Sequence, residues 1–282
     1  MKKYGLLGYP LGHTMSPPIH KRLFELESIA DYDYSLLEIS EDELPERAEE
    51  VISLDGANVT IPHKGNIIKY LDELDDSAKR YMSVNCIAKR DGRTVGYNTD
   101  CDGFLRSIEA AGGTLNGNVL QCGCGGVGRM IAIEAVRHGA RLTVSVMPGF
   151  EDTVEPVKEY ARANSIDTVI NVVHPDEISN TEKFDTLINA TPVGMFPKTD
   201  ACPVATDIIK NAGFVFDVIY NPEETLLMKT ARENGITAVG GMAMLVYQAV
   251  VAHEYWSGTV YRPQDINALI SDMHALMREQ QK

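Results

Sequence analysis

Asn118-Val119-Leu120-Gln121-Cys122-Gly123-Cys124-Gly125-Gly126-Val127-Gly128 runs from a short apolar segment into a glycine cluster of the form G-x-G-x-x-G. The segment at 118–121 reads as a strand, 127–138 as a helix and 141–146 as the next strand. In such a strand–turn–helix setting glycines let the backbone approach a pyrophosphate, and the helix N-terminus offers unpaired N–H groups to it. The unit predicted around this turn is a dinucleotide-binding α/β layer. Beyond the second strand, an acidic side chain favours the ribose 2′-hydroxyl of NAD and an Arg favours the 2′-phosphate of NADP. Here Val146-Met147-Pro148-Gly149-Phe150-Glu151-Asp152 follows, with two carboxylates and no Lys or Arg. The electrostatics lean towards NAD, although Glu151 and Asp152 also suit a helix cap, and Arg129 is a second cation within reach of a phosphate.

Working outwards, strands and helices alternate along nearly the whole chain, which predicts α/β architecture. Residues 4–8 read as a first strand, and Pro17 and Pro18 sit where a helix begins. Residues 33–39 form a strand, and Ser40-Glu41-Asp42-Glu43 has capping-box form, opening a helix towards Leu54. Strands follow at 57–61, stopped by Pro62, and at 83–89 and 94–97 around Asp91-Gly92. A helix at 102–111 leads into the glycine unit. Later come a helix at 154–163, strands at 168–172, 186–189 and 214–217, a helix at 225–234 and a strand at 236–239. From Met242 the pattern is helical in two pieces, separated near Gly258 and Pro263. Two domains are expected: a substrate-binding domain at 1–101 plus 239–282, and a Rossmann-like domain at 102–238.

The chain has 282 residues, 44% of them apolar and 23% charged, enough for a packed core without staples. Its formal net charge of −14 argues against nucleic acid and against an anionic membrane surface. No apolar run reaches the ~18 residues that span a bilayer. The opening Met1-Lys2-Lys3-Tyr4-Gly5 lacks a signal-peptide pattern, so a cytoplasmic protein is expected. The five cysteines are sparse and odd in number, as for reduced thiols. Cys122-x-Cys124 has no second ligand pair at zinc spacing, and no metal is expected.

Four polar clusters fall at predicted strand ends, where α/β sheets bind ligands. They are Gly12-His13-Thr14-Met15-Ser16-Pro17, Asn58-Val59-Thr60-Ile61-Pro62-His63-Lys64, Val84-Asn85-Cys86 and Asn98-Thr99-Asp100. Amides and hydroxyls suit a polyhydroxylated molecule. A Lys beside an Asp suits proton transfer to a reacting oxygen, since each tunes the other. Taken singly, Lys64 reads as a surface lysine and Asn98-Thr99-Asp100 as a turn or cap. His63 has no evident partner.

In order and spacing these clusters resemble shikimate dehydrogenases over nearly the whole chain. Gly8-Tyr9-Pro10, His13-Thr14-Met15-Ser16-Pro17 and His20 are similar to the family's opening signature, which implies that Thr14 and Ser16 hold a substrate carboxylate. The 58–64 segment resembles Asn-Val-Thr-x-Pro-x-Lys, implying a catalytic Lys64 and a substrate contact at Thr60. Asn85 matches a substrate-binding Asn. Gly96-Tyr97-Asn98-Thr99-Asp100 implies that Asp100 pairs with Lys64, and Met244-Leu245-Val246-Tyr247-Gln248-Ala249 implies a substrate contact at Gln248. Asn189-Ala190-Thr191-Pro192-Val193-Gly194-Met195 and Asp217-Val218-Ile219-Tyr220-Asn221-Pro222 also match. The resemblance implies cofactor contacts at Gly123, Gly125, Gly126, Val127, Gly128, Thr191, Val218 and Gly241, and a further substrate contact at Tyr220.

Three positions depart from the family pattern. Thr14 stands where Ser is usual, and Ser83-Val84-Asn85-Cys86 replaces Ala-Val-Asn-Thr. Val146-Met147-Pro148 replaces the Asn-Arg-Thr that grips the 2′-phosphate in NADP-using members. The implied activity is hydride transfer between 3-dehydroshikimate and shikimate, a step of aromatic amino acid biosynthesis. NAD or NADP is the implied cofactor, with NAD slightly favoured. The implied partner is a small cyclic hydroxy acid, the chain is expected as a monomer or homodimer, and the active site is implied between the two domains. Quinate or aminoshikimate is the rival substrate, and a ligand sensor on the same fold is the rival of another class.

Overall fold

Two six-stranded sheets organise the chain, and the computed structural model describes residues 1–12 and 14–280. Two compact units result: Met1–Gly103 with Leu245–Leu276, and Phe104–Met244 with the chain end from Met277. His13, part of the first polar cluster, lies outside the described residues.

In the first unit the order is β1 (Lys2–Gly8), α1 (Ser16–Leu26), β2 (Tyr32–Glu38), α2 (Leu44–Ile52), β3 (Gly56–Val59), α3 (His63–Asn66), β4 (Glu73–Leu74), α4 (Asp76–Tyr81), β5 (Cys86–Arg90) and β6 (Arg93–Tyr97). The strand order is β2-β1-β3-β5-β6-β4. Strands β1 to β3 pair in parallel, while β5 runs antiparallel to β3 and to β6. The β5–β6 hairpin turns at Asp91 (φ 51°) and Gly92 (φ 79°), the paired positive φ values that a two-residue hairpin needs. Leu7, Val59, Ile67, Ala78, Val84 and Ile87 are among the residues that build the core.

Helix α5 (Thr99–Ala110) carries the chain into the second unit. There follow β7 (Gly117–Cys122), α6 (Gly126–Arg137), β8 (Ala140–Ser145), α7 (Glu155–Ala163), β9 (Ile170–Val173), β10 (Phe184–Asn189), α8 (Thr206–Lys210), β11 (Ala212–Asp217), α9 (Leu226–Glu233) and β12 (Thr237–Gly240). The sheet is wholly parallel, in the order β12-β11-β10-β7-β8-β9. The order reverses at β7, so the loop after β7 stands at a topological switch point. Strands buried on both faces explain runs such as Leu187-Ile188 and Val215-Phe216, all 0% exposed.

Two long helices end the chain, α10 (Gly241–Ser257) and α11 (Pro263–Gln280). Gly258 closes α10 at φ 74°, and Pro263 starts α11. Trp256 lies on the first sheet and donates to the Ile87 carbonyl at 2.9 Å. A Cβ at Gly56 would stand 2.4 Å from the Trp256 ring nitrogen, so only glycine fits under it.

Several expected boundaries shift. The strand expected at 83–89 starts at Cys86: Asn85 is a bend that still bonds both flanking strands, through Tyr97 O and Val59 N–H, and before it Val84 N–H turns away to Lys64 O. Strand β3 ends at Val59 rather than Ile61. The Ser40–Glu43 bond forms, with Ser40 Oγ 2.6 Å from Glu43 Oε2, but it holds a turn and the helix begins at Leu44. Pro45 fixes that start, since it occupies the first turn, where its missing N–H is not needed. Helix α4, not expected from the strand–helix pattern, has a local signal: Asp75 caps it, accepting from the Ser77 amide at 2.9 Å. Among the described residues, no helix is long and apolar enough to cross a membrane.

Candidate active site

In the first unit the C-terminal ends of β1, β3 and β6 and the N-terminal end of β5 share one edge of the sheet. The register enforces this: Asn58 stands opposite Cys86, and Cys86 opposite Tyr97. Loops and helix starts at that edge carry Thr14, Ser16, Thr60, Lys64, Asn85 and Asp100.

Lys64 Nζ donates to Asp100 Oδ2 at 2.5 Å. Lys64 is placed by its own carbonyl, which accepts from Val84 N–H at 2.7 Å. Its neighbour His63 is fully buried, with Nε2 2.6 Å from the Ile39 carbonyl. His63 thus pins the loop from beneath. Asp100 Oδ1 accepts from Asn85 Nδ2 at 2.9 Å. Asn85 is 2% exposed and uses its whole amide: Nδ2 also meets Gln248 Oε1 at 2.9 Å and Thr99 Oγ1 at 3.1 Å, and Oδ1 accepts from Thr99 N–H at 2.6 Å. Lys64, Asp100, Asn85 and Gln248 therefore form one continuous network, with the lysine and aspartate side chains 26% and 13% exposed. A buried, fully bonded Asn is a rigid hub, whereas the partly exposed cation–anion pair at its edge can reach a bound molecule.

Thr14 lies just before α1 and Ser16 is its first residue, and Thr14 Oγ1 accepts from Ser16 N–H at 3.2 Å. Thr60 follows β3, with its N–H on Leu7 O at 2.8 Å and its methyl packed near Gly8. All three are half-buried.

The second unit holds the other predicted residues. At Gly123 φ is 86°, and a Cβ there would stand 2.9 Å from the Ala190 carbonyl, so glycine is required on both counts. At Gly128 a Cβ would stand 2.8 Å from Gly123 O. Gly125 and Gly126 differ: a Cβ on either would meet nothing within 4 Å. The turn is thus tight below and open above. Helix α6 starts with no side-chain cap, which leaves its first N–H groups facing that open side. These features fit the pyrophosphate of a dinucleotide. Gln121, fully buried, ties the turn from inside, donating to Gly123 O at 2.8 Å and Gly128 O at 2.7 Å. Its signal in the sequence is a polar residue inside an apolar strand.

Thr191 and Val218 lie in neighbouring loops after β10 and β11, joined by Val218 N–H to Asn189 O at 3.0 Å. Asp217 is the hub beneath them. It accepts from Asn189 Nδ2 (3.0 Å), Ile219 N–H (3.0 Å) and Thr225 Oγ1 (2.7 Å). Burial pushes its carboxyl up to about 6, against the pull of these three bonds. Gly241 approaches the Val218 carbonyl so closely that no side chain fits, and Tyr220 is 37% exposed.

The loop after β8 contains no cation of its own. Glu151 does not cap the short helix that it opens. Its Oε2 accepts from Gly149 N–H at 2.9 Å, and its Oε1 lies 2.8 Å from His174 Nε2. His174 follows β9, the neighbour of β8, and the Glu151 bond holds its imidazole above the usual pKa. Arg129, on the first turn of α6, is exposed. Among the described residues, no group of three or more His, Cys, Asp or Glu could hold a metal ion, and none of the five cysteines is in a disulfide.

Residues 6–87 match the model of the shikimate dehydrogenase substrate binding domain. A shikimate dehydrogenase (NADP(+)) of Shouchella clausii is 37% identical over 262 residues, covering 91% of this chain and 93% of the relative. Among solved structures, a chorismate mutase/shikimate 5-dehydrogenase fusion protein from Clostridium acetobutylicum superposes with a TM-score of 0.84 at 31% identity, covering 99% of both chains. A shikimate 5-dehydrogenase from Listeria monocytogenes, solved in complex with shikimate and NAD, gives 0.84 at 28% identity and 96% coverage of both. With this identity sustained over nine-tenths of its length, the chain belongs to the shikimate dehydrogenase family.

Proposed function

We propose that the protein is a nicotinamide-dependent dehydrogenase that interconverts 3-dehydroshikimate and shikimate. The observation that carries the reading is the Lys64–Asp100 pair, held on the Asn85–Gln248 network at a ligand-binding edge of the first sheet. A binder needs donors and acceptors; it does not need an ammonium clamped at the mouth of a rigid amide hub.

A bound nicotinamide supplies or takes the hydride. The protein's own residues manage the proton. In the reducing direction Lys64 Nζ gives a proton to the carbonyl oxygen as its carbon is reduced, and in the oxidising direction Lys64 takes it from the hydroxyl. Asp100 holds the ammonium in place and is itself held by Asn85. Thr14 and Ser16 take the carboxylate, while Thr60, Asn85, Tyr220 and Gln248 orient the ring hydroxyls. Holding two reactants in register supplies much of the rate. The first unit is the substrate-binding domain and the second the dinucleotide-binding domain, with contacts from Gly123, Gly125, Gly126, Val127, Gly128, Thr191, Val218 and Gly241.

NAD is the favoured cofactor. Glu151 and His174 occupy the loops after β8 and β9, and the pair adds no net cation for a 2′-phosphate while His174 is protonated. The test is the initial rate of shikimate oxidation with NAD and with NADP at equal concentrations, with quinate in parallel. Faster turnover of shikimate with NAD is expected; faster turnover with NADP contradicts the cofactor assignment, and faster turnover of quinate contradicts the substrate.

A further inference from the structure

In the second unit the wholly parallel sheet breaks its pattern at one corner. A parallel sheet is covered on both faces, so its strands are expected to be apolar on both. The register sets Asn118 opposite Arg141, Leu120 opposite Leu187 and Thr143, and Thr143 opposite Asn171. Side chains alternate along a strand, so these residues share one face. On β7 and β10 that face is apolar: Leu120 and Leu187 are buried in one cluster with Ile208 and Ile209 of α8 and Leu227 and Met228 of α9. On β8 and β9 it turns polar, with Arg141, Thr143 and Asn171. On its other face β8 keeps Leu142 and Val144 fully buried.

The polar corner holds a cavity of about 150 Å³, lined by Asn118, Arg141, Thr143, Asn171, Glu182 and Phe184. Its strand residues lie towards the N-terminal ends of β7 and β8, whereas the glycine turn follows the C-terminal end of β7. Glu182 comes from the segment before β10, which is fastened by Asn211 Nδ2 to Asn180 O at 2.7 Å and by Asn118 Nδ2 to Lys183 O at 3.5 Å. Among the described residues, the side chains of Arg141, Thr143, Asn171 and Glu182 have no hydrogen-bond or ion-pair partner. Thr143 is the informative one, because it is only 9% exposed. Buried polar groups are normally bonded within the protein, and this hydroxyl has the cavity instead.

Opposite charges that face one cavity without pairing select the ligand. A plain anion suits the Arg141 guanidinium but is repelled by the Glu182 carboxylate, and a plain cation meets the reverse. A molecule carrying both charges a few atoms apart satisfies both. We propose that this cavity is a binding site for a small free α-amino acid, with the carboxylate on Arg141 and Thr143 and the ammonium on Glu182. A guanidinium grips a carboxylate through two parallel bonds, and the Thr143 hydroxyl donates a third. Asn118 and Asn171 offer amides to a short polar side chain, and Phe184, 3% exposed, closes one wall. At ~30 Å³ per water the space equals about five waters, which limits the ligand to a short side chain. The site is independent of the dehydrogenase reading.

The test is calorimetric titration of the full chain with L-serine, with ethanolamine, which lacks the carboxylate, and with glycerate, which lacks the ammonium. Two temperatures are used, so that a vanishing heat at one is not mistaken for no binding. L-serine is expected to bind with a Kd of about 1 mM or tighter, and the other two about ten-fold more weakly or worse. Arg141→Ala and Glu182→Gln, both at exposed side chains, are each expected to weaken L-serine about ten-fold with Tm unchanged, the size of a lost bond to a charged group. Absence of saturable L-serine binding overturns the site. Glycerate binding as tightly as L-serine overturns the assignment to an amino acid. L-serine binding that is undiminished in Arg141→Ala lies elsewhere on the protein and overturns the proposal as well.

Discussion

Asp100 stands between two partners, with Lys64 Nζ 2.5 Å from its Oδ2 and Asn85 Nδ2 2.9 Å from its Oδ1. One carboxylate oxygen restrains the group proposed to move the proton, and the other fastens it to a buried amide. Lys64→Ala is expected to lower kcat by about 10²- to 10⁴-fold, the usual worth of a positioned general acid, with a much smaller change in shikimate affinity. Asp100→Asn keeps the shape but removes the negative charge, and is expected to lower kcat while leaving Tm near that of wild type. Steady-state kinetics and a thermal melt on the two variants check both.

The glycine turn predicts opposite behaviour at neighbouring positions. Gly125→Ala places its methyl in open space and is expected to leave Tm unchanged while weakening cofactor binding about ten-fold or more. Gly128→Ala drives its methyl to 2.8 Å from Gly123 O, and is expected to lower Tm as well. Thermal melts and titration of apo-protein with NAD separate the two.

The Glu151–His174 pair predicts a pH-dependent cofactor preference. Its raised pKa keeps His174 protonated around and somewhat above pH ~6.5, where the pair carries no net charge. As pH rises through the raised value His174 loses its proton and Glu151 is left as an uncompensated anion. Discrimination against NADP is therefore expected to increase with pH. Glu151→Gln is expected to weaken the preference for NAD and to flatten its pH dependence. Dissociation constants for both nucleotides at acid and alkaline pH test this, and an unchanged ratio in the variant contradicts it.

Asp217 carries a stability prediction of the opposite kind. Its folded-state value, about 6, lies above the ordinary carboxylate value of 3.8, so between these pH values the folded chain holds a proton that the unfolded chain has lost. Stability from this group is highest below pH ~4 and falls as pH rises towards ~6. Asp217→Asn is expected to remove that fall, read as Tm measured across the range and compared with wild type.

Much of the architecture is legible in the residues. Alternating apolar strands and amphipathic helices announce the α/β class, and the run from Asn118 to Gly128 announces the switch-point turn. What escapes is set by tertiary contacts. Asn85 reads as a strand residue, and its backbone does bond Val59 and Tyr97 of the flanking strands, but its side chain is claimed by Asp100, Thr99 and Gln248. Gln248 is 163 residues away in sequence, a separation that no local pattern bridges. His63 looks idle beside Lys64 because its partner is a backbone carbonyl 24 residues away. A buried Glu27–His253–His20 chain is equally silent: acid and imidazole are 226 residues apart, and only folding makes them neighbours.

The most direct test of the account is shikimate oxidation by purified wild type and Lys64→Ala, followed through the absorbance of the reduced nicotinamide with NAD and with NADP. The account predicts turnover by wild type, faster with NAD, and near-complete loss in Lys64→Ala with shikimate still bound. No turnover by wild type with either nucleotide, or an undiminished rate in the variant, would contradict it.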